Sequence, residues 1–81
     1  MQATIVVTLD LKGLSCPIPI ARTATAMRVL HPGELLEVFA TDPGSVADFR
    51  AWATATGNPL RESGREGGIF HFILQKREAG I

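Results

Sequence analysis

The chain has few cysteine and aromatic residues, and it carries no net charge. Its 81 residues include one cysteine, one tryptophan, four phenylalanines and no tyrosine. A single cysteine excludes an internal disulfide, so the core folds without covalent cross-links, as is usual in a reducing compartment. Eight basic and eight acidic side chains leave a formal net charge of zero. Direct nucleic-acid binding is therefore not expected, because bulk charge would not hold a phosphate backbone.

The chain also lacks a long apolar run. The apolar stretch at residues 5–9 is too short for a signal peptide or a membrane span, and no basic region precedes it. We therefore expect a cytoplasmic protein that makes no membrane contact. Apolar residues make up 46% of the chain and charged residues 20%, as in ordinary globular proteins. We expect a single domain over residues 1–81, close to the size at which one core just suffices.

Turn and cap residues divide the chain into six predicted elements. The predicted strands are residues 4–9, 34–40, 60–65 and 69–75, and the predicted helices are residues 17–30 and 43–56. Pro17 and Pro43 suit the first position of a helix, where the N–H that proline lacks would be unpaired anyway. Asp42 is then the N-cap of the second helix, and Gly57 is its C-terminal cap.

The order strand, helix, strand, helix, strand, strand predicts an α/β (α+β) fold. We expect a two-layer βαβαββ sandwich, with two helices packed on one face of a four-stranded mixed sheet. The residues expected in the core are Ile20, Ala24, Met27 and Leu30 of the first helix, Leu36, Val38 and Ala40 of the second strand, and the aromatic residues Phe39, Trp52, Phe70 and Phe72.

The cysteine lies between the first strand and the first helix, in the segment Gly13–Pro19. Backbone N–H groups are unpaired at a helix start and the helix dipole is positive there, which favours a thiolate. If Cys16 is the N-cap, the Ile18 N–H is the donor best placed to bond its sulfur. Pro17 and Pro19 offer no N–H. We therefore expect a partly exposed thiol with a lowered pKa.

No spacing supports other cysteine chemistry. The chain has no C-x-x-C pair and no cluster with metal-ligand spacing, so neither a redox dithiol nor a metal site nor a cofactor is expected. Free cysteines are usually small buried hydrophobes, and a structural role for Cys16 is the alternative that the residues alone leave open.

Three further residues are candidates for the site or for its support. Asp10 either orients the loop that carries Cys16 or only caps it. Gly13 gives the same loop conformational freedom. His71 lies on the last predicted strand, and no carboxylate partner is evident in the sequence, which disfavours a catalytic role.

The pattern Leu9-Asp10-x-x-Gly13-x-x-Cys16-Pro17-x-Pro19 resembles the signature of the TusA/SirA-type sulfur-carrier family. The resemblance covers nearly the whole chain and implies the same βαβαββ sandwich. Further similar positions are Pro32-Gly33-Glu34-Leu35, Asp42-Pro43, Asp48-Phe49, Trp52 and Gly57.

The resemblance implies that Cys16 carries sulfur as a persulfide in a sulfurtransferase-type relay. A cysteine desulfurase or a rhodanese-type protein would supply the sulfur, and another sulfurtransferase would accept it. The relay would serve tRNA thiolation, cofactor maturation or sulfur oxidation. Ala24, Thr25, Thr41 and Asn58 depart from the common family pattern, which leaves the partners and the pathway open. The alternatives are a non-catalytic regulatory module and an RNA-binding module of the same fold.

Overall fold

A four-stranded mixed sheet carries two helices on one face. The computed structural model describes residues 4–78. The strands are β1 (Ile5–Leu11), β2 (Leu35–Ala40), β3 (Leu60–Glu66) and β4 (Ile69–Gln75), and the helices are α1 (Ile18–Arg28) and α2 (Ser45–Thr56). The sheet order is β1-β2-β4-β3, in which β1 and β2 are parallel and the other neighbours are antiparallel. The predicted two-layer βαβαββ fold is confirmed.

The core lies between the sheet and the helices. Leu36, Val38 and Ala40 alternate along β2 and are completely buried, as predicted. The ring of Phe49 on α2 stacks on the ring of Phe72 on β4, with their centroids 4.7 Å apart. Full burial of such a side chain contributes roughly 1.5–3 kcal/mol, so this pair fixes α2 on the sheet.

The residues predicted to face the core from the first helix are confirmed in part, since Met27 and Leu30 lie in the core and Ile20 packs against it. Thr23 is completely buried, Met27 and Leu30 are nearly so, and Ala24 is only half-buried. Pro19 in the first turn is also buried, which the prediction did not include. The Thr23 hydroxyl donates to the Pro19 carbonyl at 2.8 Å, which allows a polar side chain to lie in the core.

Helix α2 begins two residues later than predicted. The Asp42 carbonyl accepts the Ser45 N–H at 3.0 Å, and its carboxylate accepts the Gly44 N–H at 3.2 Å. This tight turn precedes the helix, so Gly44 is the N-cap and Asp42 is a turn residue. Gly57 ends the helix as predicted, with φ +78° and its N–H donating to the Ala53 carbonyl at 2.9 Å.

Neither helix covers the other face of the sheet, which we call the open face. Phe39 was expected in the core but lies half-buried on the open face, with its ring centroid 4.8 Å from that of His71. His71 Nε2 lies 2.7 Å from Glu37 Oε2, and the Thr8 hydroxyl donates to Glu37 Oε1 at 3.0 Å. Hydrogen bonds from His71 and Thr8 lower the pKa of Glu37.

Strand β3 forms one edge of the sheet and is almost entirely polar and exposed. Its charged side chains are Arg61, Glu62, Arg65 and Glu66. Arg61 Nε donates to Gln75 Oε1 of β4 at 2.7 Å, which adds a side-chain contact to the hairpin.

Replacing Ser45 by alanine should stabilise the protein. The residue is 2% exposed, and its hydroxyl finds no hydrogen-bond partner among residues 4–78. A buried polar group without a partner costs about 1–3 kcal/mol. We expect Ser45→Ala to raise the free energy of unfolding in urea by about 1 kcal/mol. The matched variant Thr23→Val removes a bonded hydroxyl and should lower that free energy by about 1 kcal/mol; effects of the same sign would contradict the expectation.

The contact between Glu37 and His71 should make stability fall in acid. Because folding lowers the pKa of Glu37, its ionised carboxylate stabilises the protein at pH values above the ordinary pKa of 4.5. This stabilisation is lost as the pH falls through the lowered value. Glu37→Gln should therefore cost about 1 kcal/mol near pH 7 and much less near pH 3, measured by urea unfolding. A cost that stays constant across this range would contradict the expectation.

Candidate functional site

The single thiol lies on an exposed loop between β1 and α1. Helix α1 begins at Ile18 with Pro17 as its N-cap, so the prediction that Cys16 caps the helix is wrong. The Ile18 N–H donates to the Ser15 carbonyl at 3.0 Å. This short turn encloses Cys16 and Pro17 and delays the helix by one residue. The backbone donor expected for the thiolate is therefore used within the loop.

Two contacts fix the loop ahead of the thiol. Gly13 has φ +84°, a left-handed conformation that favours glycine. Its N–H donates to the Thr41 hydroxyl oxygen at 2.8 Å, which ties the loop to the segment that leads into α2. At the end of β1, the Asp10 carboxylate accepts the Lys12 N–H at 3.2 Å and lies 3.8 Å from its ammonium nitrogen. Asp10 therefore shapes the turn that begins the loop.

Two prolines flank the first residue of α1. Pro19 is buried against the core, whereas Pro17 is exposed at the cap. The Ala21 N–H donates to the Pro17 carbonyl at 3.0 Å. Because neither proline has an N–H, the first turn of α1 presents few free donors to a negative charge.

Two carboxylates at the start of α2 converge over Gly44. A Cβ atom on Gly44 would lie 3.2 Å from Asp42 Oδ2 and 3.5 Å from Asp48 Oδ2. Both carboxylates act on Cys16. Its thiol pKa is raised above the ordinary value by partial exclusion of water, then by the negative charge of Asp48 and a hydrogen bond to it, and last by the charge of Asp42.

The raised pKa contradicts the predicted lowering. The prediction counted the positive end of α1 but neither the partial exclusion of water from the thiol nor the negative side chains at the start of α2. Asp48 is far from Cys16 in the sequence, and no local pattern joins the two. Since β1 and β2 are parallel and each is followed by a helix, both helices begin at the same edge of the sheet. That topology places the loop of Cys16 beside the segment that leads into α2.

The open face carries a shallow hollow with a volume of ≈ 710 Å³. Its lining residues are Lys12, Glu37, Phe39, Gly64, Arg65, Glu66, Ile69 and His71. His71 thus has a carboxylate partner, Glu37, which no pattern in the sequence indicated. Cys16 is not among the lining residues, so the hollow and the thiol are separate features.

Within residues 4–78, no three His, Cys, Asp or Glu side chains are grouped as a metal ion would require. In the same part of the chain, neither helix is both long enough and apolar enough to cross a membrane.

Comparison with known proteins places the chain in a family. The family model described as Sulfurtransferase TusA matches residues 7–76. The sulfur carrier protein TusA of Allochromatium vinosum is 53% identical over 68 residues, which cover 84% of this chain and 90% of that protein. YrkI of Bacillus subtilis is 50% identical over 68 residues, which cover 84% of this chain and 91% of that protein.

A solved structure shares the fold. The SirA-like protein of Desulfitobacterium hafniense superposes with a TM-score of 0.77 at 23% sequence identity, over 90% of this chain and 100% of that chain. The family match spans most of the chain and includes the loop that carries Cys16. The chain therefore belongs to the TusA sulfurtransferase family.

Proposed function

We propose that this protein is a sulfur carrier that receives sulfane sulfur as a persulfide on Cys16 and hands it to an acceptor protein. The observation that carries the proposal is the exposed position of the thiol on a loop held by the rest of the fold. Membership of the TusA family supports it, as does the 53% identity to a protein described as a sulfur carrier.

Loading is a thiol exchange that needs no added oxidant. The Cys16 thiolate attacks the terminal sulfur of a donor persulfide, R–S–SH. A new S–S bond forms on Cys16, the donor S–S bond breaks, and the donor leaves as the thiolate R–S⁻. Delivery repeats the exchange, with an acceptor thiolate attacking the terminal sulfur on Cys16. An exposed thiol suits both steps, because each needs in-line approach to a sulfur atom.

The other predicted site residues hold the loop and take no part in bond making. Asp10 and Gly13 fix its first half through the bonds to Lys12 and Thr41. Pro17 and Pro19 set the start of α1 after the thiol. We assign Ile18 a structural role as well, because its N–H closes the turn around Cys16.

The partners in this proposal are two proteins. A cysteine desulfurase or a rhodanese-type protein supplies the sulfur, and another sulfurtransferase of the relay accepts it. Ile18, next to the thiol, is 43% exposed and offers an apolar contact to either of them. A lone free thiol is best preserved in a reducing compartment, so we place the relay in the cytoplasm.

The proposal predicts sulfur on Cys16 and on no other residue. We expect incubation with a cysteine desulfurase and free cysteine to add the mass of one sulfur atom, visible in the intact-protein mass spectrum and removed by a reducing thiol. Cys16→Ser should gain none. Ser15→Ala, which keeps the thiol and the backbone carbonyl of the turn, serves as the matched control and should load normally.

Two results would contradict the proposal: a parent protein that gains no sulfur, and a gain that persists in Cys16→Ser. The regulatory and RNA-binding alternatives make no use of the thiol. Salt-sensitive binding to RNA that survives Cys16→Ser would favour the RNA-binding alternative.

A further inference from the structure

Two aromatic rings line the hollow on the open face. Phe39 of β2 and His71 of β4 are directly opposite in register, and their ring centroids lie 4.8 Å apart. Both side chains are half-buried, so part of each ring is presented to solvent. Aromatic rings pair favourably at such distances, and an exposed pair offers a surface on which a further planar ring can stack.

The His71 ring is held by hydrogen bonds that reach across three strands. The Thr8 hydroxyl donates to Glu37 Oε1 at 3.0 Å, and Glu37 Oε2 lies 2.7 Å from His71 Nε2. The hydrogen bonds from His71 and Thr8 lower the pKa of Glu37, so its ionised carboxylate accepts the Nε2 proton. The ring is therefore fixed before any ligand arrives, which reduces the entropic cost of binding.

Gly64 of β3 leaves an open space beside the His71 ring. The two residues are directly opposite in register, so a side chain at position 64 would lie on the open face. The fold does not require a glycine here, because its φ is not positive and an added Cβ would have no atom within 4 Å. A glycine inside a strand weakens the strand, and it often marks a place where a ligand approaches closely.

The hollow has a positive side chain at its β1 end. The Lys12 ammonium lies 5.9 Å from the centroid of the Phe39 ring. Its ion pair with Asp10 is long, at 3.8 Å, and both side chains are exposed, so the pair contributes little. Lys12 can therefore turn to an acidic group of a ligand that lies on the Phe39 ring.

The β3 end of the hollow is apolar and negative. Ile69 is 39% exposed there, and Glu66 lies opposite it in register. Arg65 is engaged, since its Nε donates to the Gly67 carbonyl at 3.2 Å. Because β1 and β3 are the two edges of the sheet, these charges orient a ligand with its acidic group towards Lys12.

We propose that the hollow binds a small molecule that consists of a planar aromatic body and one acidic group. The aromatic body lies on Phe39 and His71 and fills the space left by Gly64, and the acidic group pairs with Lys12. A volume of ≈ 710 Å³ is in the range of small-molecule sites. Because Cys16 does not line the hollow, this binding is separate from the proposed sulfur transfer.

Fluorescence titration with 8-anilinonaphthalene-1-sulfonate tests the proposal. The probe is an aromatic sulfonate that fluoresces in apolar surroundings, and we expect the parent protein to bind it at one saturable site. Gly64→Val places a side chain in the hollow and should weaken binding about tenfold or more. Ser63→Val, the matched control, adds the same side chain on the other face of β3 and should bind like the parent.

The role of Lys12 is tested with a pair of probes. N-phenyl-1-naphthylamine has the same aromatic body as the first probe but no sulfonate. Lys12→Gln should weaken binding of the sulfonate about threefold, an effect that salt reduces, and should leave binding of the uncharged probe unchanged. Arg22→Gln removes an exposed positive charge from α1, on the other side of the sheet, and should change neither.

Amide chemical shifts of the ¹⁵N-labelled parent locate the bound sulfonate. The largest changes should fall on the residues that line the hollow, above all Phe39, Gly64 and His71. Changes centred elsewhere, or no saturable binding at all, would overturn the proposal. Parent-like affinity in a folded Gly64→Val would overturn it as well.

Phe39→Leu keeps the proposal testable if circular dichroism shows that Gly64→Val is unfolded. This variant retains an apolar side chain but removes the ring on which the ligand would stack. We expect it to weaken binding of both probes, and parent-like affinity for both would be equally adverse. None of these measurements uses a sulfur donor, so their outcome does not depend on whether Cys16 carries sulfur.

Discussion

The parallel pairing of β1 with β2 determines where the functional groups of this protein lie. Parallel neighbours need a crossover, and α1 supplies it. The paired strands end together, with Leu11 opposite Ala40, so the loops that follow them leave the sheet at one edge. The bond between Gly13 and Thr41 then joins the two loops directly. The position of Cys16 is thus a consequence of strand direction as much as of its own sequence.

Two opposing electrostatic effects meet at the thiol. The start of a helix favours negative charge, but in α1 the two prolines remove donors and the Ile18 N–H is used in the loop turn. Partial exclusion of water raises the pKa of Cys16 most, and the charges of Asp48 and Asp42 at the start of α2 raise it further. The loop therefore presents an accessible sulfur atom with restrained reactivity.

The sequence predicted the elements well, because caps, prolines and alternating apolar residues are local signals. It placed the start of α2 too early because the turn at Asp42 satisfies the same groups that an N-cap would. The effect of Asp48 on the pKa of Cys16 and the contact of Glu37 with His71 had no local signal. The first depends on both helices beginning at one sheet edge, and the second on the register of two strands distant in the sequence. The role assigned to the loop residues stays a prediction.

The polar edge formed by β3 has a consequence for how the protein associates. An unpaired strand edge is a template for adding another chain, and charged side chains along it make that addition unfavourable. Arg61, Glu62, Arg65 and Glu66 protect this edge in that way. In the proposed relay the protein must leave each partner quickly, and long ladders of backbone hydrogen bonds would slow that release. The charged side chains of β3 therefore disfavour a partner that binds by adding a strand to the sheet.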